Sequence, residues 1–214
     1  MKSNPTKLEL RLIARIERDG PITFRDFMQA ALYESDLGYY NTERLKIGPQ
    51  GDYYTSSNVH PAFGAVLARA FVDLWAHMSV EGGVQPLRIV EIGGGTGRLA
   101  CDILTALRDL DSGGFSRVEY VLVEPSPAMR HRESEVLAAF RSQVRCCGLG
   151  ELTESPQRGI FFSNELIDAL AVHRVRFLKT RIEEQYVAVA NGRLALIWSE
   201  PSTPRLGSYL ARAA

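Results

Sequence analysis

An acidic residue followed by a run of glycines is the feature of this chain best suited to hold a ligand. Residues 87–92 form a short, mostly apolar and β-branched segment, typical of a central parallel strand, and Glu91 lies near its end. The glycines that follow at once are Gly93, Gly94, Gly95 and Gly97. Because glycine lacks a side chain, the backbone can turn sharply there and a ligand can lie directly on it. Open α/β sheets bind their ligands at this end of a strand.

The spacing of these glycines separates two classes of cofactor. Dinucleotide sites follow the pattern G-x-G-x-x-G/A, but the sixth position counted from Gly93 is Arg98, which is too large for close helix packing. The alternative pattern, acid-x-G-x-G-x-G, is matched by Glu91, Gly93, Gly95 and Gly97. This spacing resembles motif I of S-adenosylmethionine (SAM) methyltransferases. In those enzymes the turn faces the amino-acid part of SAM, and the acid contacts its ammonium. We therefore predict a SAM site, with a nicotinamide or flavin site and a purely structural turn as alternatives.

A second acid ends the next predicted strand. Residues 118–123 precede Glu124, and a new helix begins at Pro125-Ser126-Pro127. An ionised carboxylate only accepts hydrogen bonds, so Glu124 is suited to bind both ribose hydroxyls of a cofactor. Dinucleotide folds also place an acid here, so Glu124 indicates an adenosine-type cofactor without deciding which one. The structural alternative is an acid that complements the dipole at a helix N-terminus.

Two further acids follow the predicted fourth strand. Asn164 is predicted to cap a helix and is also a candidate cofactor-binding residue. Glu165 and Asp168 are three residues apart, so on a helical turn they would face the same way. Beside the SAM sulfonium, two carboxylates would suit a nitrogen substrate and could orient a guanidinium by paired hydrogen bonds. The alternative is that both acids only complement the helix dipole.

Predicted strands and helices alternate along the part of the chain that must position these residues. Strands are predicted near 87–92, 118–123, 143–147 and 159–163, and helices near 98–110 and 126–140. This alternation is typical of the α/β class with a doubly wound parallel sheet. Residues 172–199 have a different pattern and are predicted to form antiparallel strands, with Asn191-Gly192 as a hairpin turn.

The N-terminal part is predicted to be helical and irregular. Helices should begin after Thr6 and Thr23, each followed three residues later by an acid, and again near Pro61. The segment 34–58 between them is long and rich in tyrosine, which favours a functional cover over a disordered linker. We therefore expect residues 1–82 to cap the cofactor site of a Rossmann-like domain formed by residues 83–214.

Composition narrows the class of protein further. The 214 residues carry no net charge, so nothing favours a nucleic acid as partner. No apolar run approaches membrane-spanning length, and the N-terminus lacks a signal-peptide core and a transit-peptide composition, so we expect a cytoplasmic protein.

Cys101, Cys146 and Cys147 form no C-x-x-C motif, and no histidine cluster has metal-ligand spacing. We interpret them as reduced thiols and expect no metal site.

Taken together, these segments resemble the MidA family of SAM-dependent methyltransferases, whose mitochondrial members are arginine methyltransferases that help assemble respiratory complex I. The matching stretches cover most of residues 20–175: GPITFRDFMQAALYESDLGYY, GDYYTSSNVHPAFG, IVEIGGGTGRLACDIL, YVLVEPSPAMR and FFSNELIDALAVHR. GDYYTSS and NELIDAL are the most specific of them. The resemblance implies a class I methyltransferase fold, SAM as cofactor and a protein substrate, with an arginine side chain as acceptor and a respiratory-complex subunit as one candidate target.

The resemblance also implies roles for individual residues. In the family the GDYYTSS element closes over SAM, so the candidate lid residues on the cofactor or substrate side are Gly51, Asp52, Thr55 and Ser56. Glu165 or Asp168 is the candidate catalytic carboxylate, which would orient the acceptor nitrogen and help it lose a proton.

The chain departs from the family pattern at three places. Asn58 stands where the family usually has an acid, and Ala171 replaces a proline. Family members also continue well beyond position 214, so we interpret the chain as an incomplete class I fold: a truncated form, a fragment, or a split or degenerate member.

Two alternatives to an arginine methyltransferase stay open. One is a non-catalytic assembly factor that binds a partner protein, and the other is a methyltransferase for a small molecule.

Overall fold

The computed structural model describes residues 4–42, 60–78, 86–152, 158–179 and 181–213. The chain divides into two compact units: residues 43–168 form the parallel-sheet unit, and residues 1–42 with 169–214 form the antiparallel unit. The division predicted from the sequence, 1–82 and 83–214, differs because N-terminal residues pair with a C-terminal strand. The predicted covering of the cofactor site by residues 1–82 stays a prediction.

The helices and strands of the described residues follow the predicted alternation. The α-helices are α1 (Lys7–Asp19), α2 (Phe24–Tyr33), α3 (Ala62–Met78), α4 (Arg98–Leu110), α5 (Pro127–Val136), the single turn α6 (Leu149–Leu152) and α7 (Arg205–Ala213). The strands are β1 (Ile22–Thr23), β2 (Leu87–Ile92), β3 (Val118–Val123), β4 (Val144–Cys147), β5 (Ile160–Phe162), β6 (Val175–Phe177), β7 (Ile182–Ala190) and β8 (Arg193–Ser199). The helix predicted at 126–140 is shorter, because Leu137 leaves the helical conformation and residues 138–140 form a 3-10 turn.

The parallel-sheet unit contains four strands in the order β4-β3-β2-β5. β2 is central, with Leu87 opposite Val118 of β3 and Ile89 opposite Ile160 of β5, and every pairing is parallel. The chain winds from β2 outward to β3 and β4 and then returns to the other side of β2, so the switch point lies between β2 and β5. This confirms the predicted doubly wound parallel sheet and places the glycine turn at its ligand-binding edge.

Both faces of this sheet are covered by apolar side chains. On one face, Ile89 and Tyr120 pack in the main core with residues of α3 and α4. On the other face, Val90 and Val121 pack with Leu152 of α6. Burial on both faces explains the near-continuous apolar sequence of β2 and holds its carboxyl end in place.

β7 is the central strand of the antiparallel unit. It pairs with β8 along one edge and with β1 and β6 along the other. The β7–β8 hairpin turns at Asn191 and Gly192, whose φ angles of 53° and 70° are those of the predicted hairpin turn. Leu12 and Ile16 of α1 pack with Val187 of β7 in the core of this unit.

Candidate functional site

The glycine turn joins the carboxyl end of β2 to the first turn of α4. Gly93, Gly95 and Gly97 have φ angles of 79°, 60° and 78°. This left-handed conformation costs residues with a side chain about 1–2 kcal/mol each, so the three motif positions require glycine. The Gly93 amide donates a hydrogen bond to the carbonyl of Val123 (2.9 Å), which ties the turn to β3.

Neighbouring side chains pack directly against the bare backbone of the turn. A Cβ atom on Gly94 would lie 2.0 Å from Cδ2 of Leu122 and 2.8 Å from Oε1 of Glu133. A Cβ atom on Gly93 would lie 2.7 Å from Cδ1 of Leu166. Such atoms essentially never approach closer than 3.0 Å, so these neighbours can pack this closely against the turn only because Gly93 and Gly94 lack side chains.

Glu91 is buried in the sheet on the same face as Ile89. Its side chain is 2% exposed, and the Tyr120 hydroxyl donates a hydrogen bond of 2.7 Å to Oε2. Burial raises the pKa of Glu91 to about 7, and the hydrogen bond from Tyr120 offsets part of that effect. β3 therefore orients this carboxyl group, which is close to half protonated at neutral pH. Its predicted contact with the SAM ammonium stays a prediction.

Glu124 lies at the carboxyl end of β3, next to the glycine turn. Its Oε1 accepts a hydrogen bond from the Ser126 amide (2.8 Å), and Arg130 donates to its backbone carbonyl (2.6 Å). Burial raises the pKa of Glu124, and the Ser126 amide and Arg130 oppose that rise. These contacts fix the carboxylate in one orientation, as a residue that binds two ribose hydroxyls requires. Binding to ribose stays a prediction.

Glu133 is a buried acid at this site that the sequence reasoning missed. It is 0% exposed on α5, and its Oε1 lies directly beneath Gly94. Its segment, RHRESE, is so rich in charge that it reads as a solvent-exposed helix face. The spacing of its neighbours could have indicated its burial. Met129, Glu133 and Leu137 are four residues apart, which is the spacing of residues on one helix face, and all three are buried.

The segment that carries Glu165 and Asp168 reaches the glycine turn through Leu166, but in a conformation different from the predicted one. Residues after Asn164 form a turn, Glu165 has a φ of 50°, and a 3-10 helix spans Ile167–Ala169. The prediction that Asn164 caps a helix is therefore wrong, because Glu165 leaves the helical region immediately after it. Both acids are exposed, and neither has a hydrogen-bond or ion-pair partner among the described residues.

The predicted lid residues are Gly51, Asp52, Thr55 and Ser56, and they lie outside the described residues. Asn58, where the family pattern has an acid, lies outside them as well. Their place beside the cofactor stays a prediction.

The part of the chain that the structure describes contains no group of three or more His, Cys, Asp or Glu side chains that could hold a metal ion. None of its helices is both long and apolar enough to cross a membrane. The three cysteines are free thiols. Burial, followed by the nearby Glu133, raises the pKa of the Cys146 thiol to about 11.

Residues 66–214 match the model of a protein family described as "Putative S-adenosyl-L-methionine-dependent methyltransferase". The chain belongs to this family. Membership agrees with the glycine spacing, with the sheet order and with the predicted resemblance to the MidA family. It confirms SAM-dependent methyltransferase as the class to which the chain belongs and SAM as the cofactor of that class.

Two curated relatives from animals are about a third identical to this chain over the aligned region. The human "Protein arginine methyltransferase NDUFAF7, mitochondrial" is 34% identical over 225 residues, which cover 94% of this chain and 50% of the relative. The protein of the same name from Danio rerio is 31% identical over 182 residues, which cover 76% of this chain and 42% of the relative. The chain thus spans about half the length of the curated relatives it matches.

A solved structure from Burkholderia thailandensis has the same fold over nearly the whole chain. That protein, described as a "likely methyl transferase", was crystallised bound to S-adenosyl-homocysteine. It is 27% identical, with a TM-score of 0.78, and the match covers 99% of this chain and 56% of that one. This agreement confirms the class I methyltransferase fold of the family.

Proposed function

We propose that this chain binds SAM in the glycine turn and that the whole protein is a methyltransferase for a protein nitrogen, with an arginine side chain as acceptor. The observation that carries the proposal is the left-handed conformation of Gly93, Gly95 and Gly97 at the switch point of the sheet. The relative that binds S-adenosyl-homocysteine supports it, because its fold matches 99% of this chain.

The residues around the turn fit such a cofactor. Leu166, Leu122 and Glu133 fill the space into which Cβ atoms on Gly93 and Gly94 would project, so these side chains hold the turn in place. The amino-acid part of SAM would lie against the bare backbone of that turn. Glu124, fixed by the Ser126 amide, would accept hydrogen bonds from the ribose hydroxyls. Glu91, held by Tyr120 near the end of β2, would complement the ammonium.

The chain's own chemical task is to bring an acceptor nitrogen into line. When bound, SAM supplies a methyl group on a positively charged sulfur. A guanidinium is protonated in water, so it must be oriented and must lose a proton before its nitrogen can accept a methyl group. Glu165 and Asp168 flank Leu166, which contacts the glycine turn, and we assign the orientation and the proton acceptance to these two exposed carboxylates. Correct placement supplies most of the rate enhancement in this kind of transfer.

The substrate class comes from the relatives. The human and Danio rerio proteins are named protein arginine methyltransferases, which supports a protein acceptor for this one. A respiratory-complex subunit is the first candidate, on the family resemblance. The cytoplasmic location expected from the sequence stays part of the proposal.

Calorimetric titration with SAM tests the binding site. Gly95→Val should abolish SAM binding and preserve the fold, because valine is strained at a φ of 60° and would distort the turn on which SAM lies. The matched control is Gly207→Ala in α7, where nothing lies within 4 Å of the new Cβ atom, and it should keep wild-type affinity. Unchanged affinity in Gly95→Val would remove the proposed site, and tighter binding of NAD than of SAM would overturn the cofactor class.

A transfer assay with isotope-labelled SAM tests the activity, using the full-length natural protein and extract from its own cells. Label in arginine side chains of a protein is the expected result. Label only in small molecules would replace the proposal with a small-molecule methyltransferase. SAM binding without any transfer would replace it with a non-catalytic assembly factor.

A further inference from the structure

A buried acid beneath the glycine turn is not used by the chemistry proposed above. Glu133 is 0% exposed, and neither of its carboxyl oxygens has a hydrogen-bond partner among the described residues. A buried polar group without a partner costs about 1–3 kcal/mol, and an ionised one costs far more. An apolar side chain at this position would avoid that cost, so the carboxyl group calls for a functional explanation.

The carboxyl group of Glu133 is aimed at the turn. Its Oε1 would lie 2.8 Å from a Cβ atom on Gly94, and its Cα would lie 3.2 Å from a Cβ atom on Gly97. α5 therefore supports the turn at two of its glycines. A small displacement of this side chain would move the surface on which the cofactor lies.

We propose that Glu133 is a positioning residue for the cofactor, whose neutral carboxyl group fills the space beneath the turn and keeps the turn in its SAM-binding shape. This inference rests on the proposed function, because it concerns the same cofactor site.

The groups that face Glu133 favour its neutral form. Burial is the largest cause that raises the pKa of Glu133 to about 8, followed by the acids Glu124 at the end of β3 and Glu91 on β2. The Cys146 thiol on β4 also faces it and lowers that pKa, but by the smallest amount of these groups. The cation nearby, Arg130 on α5, lowers that pKa but donates its hydrogen bond to the backbone carbonyl of Glu124.

The remaining helix that packs against α5 is α4, and its charges are paired with each other. Arg98 in its first turn forms an ion pair of 3.2 Å with Asp102. Ionised Glu133 would therefore leave a buried charge that Arg130 and Cys146 compensate only in part, and the turn would have to shift to admit water or another donor.

The expected effect on binding follows from the fraction of neutral Glu133. If only the neutral form holds the turn correctly, the apparent Kd rises as the inverse of that fraction. With a pKa of about 8, the neutral fraction is about nine-tenths at pH 7 and about one-tenth at pH 9. SAM affinity should fall about tenfold between these two pH values.

Calorimetric Kd values for SAM at pH 7, 8 and 9 test the inference in three proteins: wild type, Glu133→Gln and Glu135→Gln. Glutamine has the shape of the neutral acid but does not titrate, so Glu133→Gln should bind SAM like wild type at pH 7 and should lose the tenfold fall. The matched control, Glu135, lies on the same helix with its side chain 68% exposed, and its variant should keep the wild-type profile. Glu91 is present in all three proteins, so the part of the pH dependence that only Glu133→Gln removes reports the Glu133 carboxyl group.

The outcomes separate this inference from the proposed function. If wild type and Glu133→Gln both bind SAM with the same pH profile, the inference is overturned and the proposed function stands. If wild type binds no SAM at any pH, both are overturned. Melting temperatures without SAM over the same pH range provide the second measurement. If the substitution changes the pH dependence of melting but not that of affinity, Glu133 is merely structural and the inference is overturned.

Discussion

Gly94 and Leu122 should be energetically coupled, because a side chain at position 94 would overlap that of Leu122. The new Cβ atom would lie 2.0 Å from Cδ2 of Leu122, whereas carbon atoms in contact are about 3.5–4.0 Å apart. Leu122 is 0% exposed and packed in the main core, so it cannot move into solvent. Gly94→Ala should therefore lower the free energy of unfolding by about 1–3 kcal/mol, the range for overpacked cores.

Shortening Leu122 should relieve this overlap. Leu122→Ala removes the Cδ2 atom and alone should cost about 2–5 kcal/mol, because it leaves a cavity. In the double variant, the methyl group of Ala at position 94 occupies part of that cavity. The double variant should therefore lose less free energy of unfolding than the two single variants together, by about 1–2 kcal/mol.

Denaturant unfolding of wild type, both single variants and the double variant completes this cycle. Gly207→Ala is again the control, because it adds the same methyl group to a helix without any contact and should be neutral or slightly stabilising. Strict additivity of the Gly94 and Leu122 substitutions would refute the packing argument, and so would a Gly94→Ala variant as stable as wild type.

Three further predictions concern the acids of the site. Glu124→Ala should weaken SAM binding by about 1.5–3 kcal/mol but weaken a SAM analogue without ribose hydroxyls less, and equal calorimetric losses would contradict the ribose role. Glu165→Gln and Asp168→Asn should keep SAM affinity and lose turnover in the full-length protein, whereas wild-type rates in both would exclude the catalytic role. Native Glu133, with its raised pKa, retains a proton that the unfolded chain releases above pH 4.5. Relative to Glu133→Gln, wild type should therefore lose up to about 5 kcal/mol of unfolding free energy as pH rises from 4.5 through about 8, and parallel stability curves would contradict this.

Features with a local chemical cause were predicted well from the sequence. The Thr6 hydroxyl accepts a hydrogen bond from the Glu9 amide (3.1 Å), and Thr23 caps the next helix in the same way. The three motif glycines have left-handed φ angles, and the hairpin turns at residues 191–192. Each of these features depends on residues within a few positions of one another, so the pattern alone determines it.

Features that depend on packing between distant segments were missed. Glu133 lies in a charged stretch, and only its packing against the glycine turn shows that it is buried. β1 contains two residues and has almost no sequence signal, so its pairing with β7 and the resulting division of the chain could not be predicted. The helix expected after Asn164 is replaced by a turn, because the left-handed conformation of Glu165 is not encoded by its residue type.

The pairing of β1 with β7 has a consequence for the order in which the protein acquires structure during translation. Ile22 lies opposite Val187, so 165 residues of chain separate the two partners. At about 5–20 residues per second, the ribosome makes β7 about 10–30 seconds after β1. Through that interval the apolar residues Leu12 and Ile16 have no β7 to pack against, although the whole parallel sheet has already been synthesised. Leu12 and Ile16 of the first helix are therefore among the last residues to be buried, and until then they present an apolar surface that chaperones could bind.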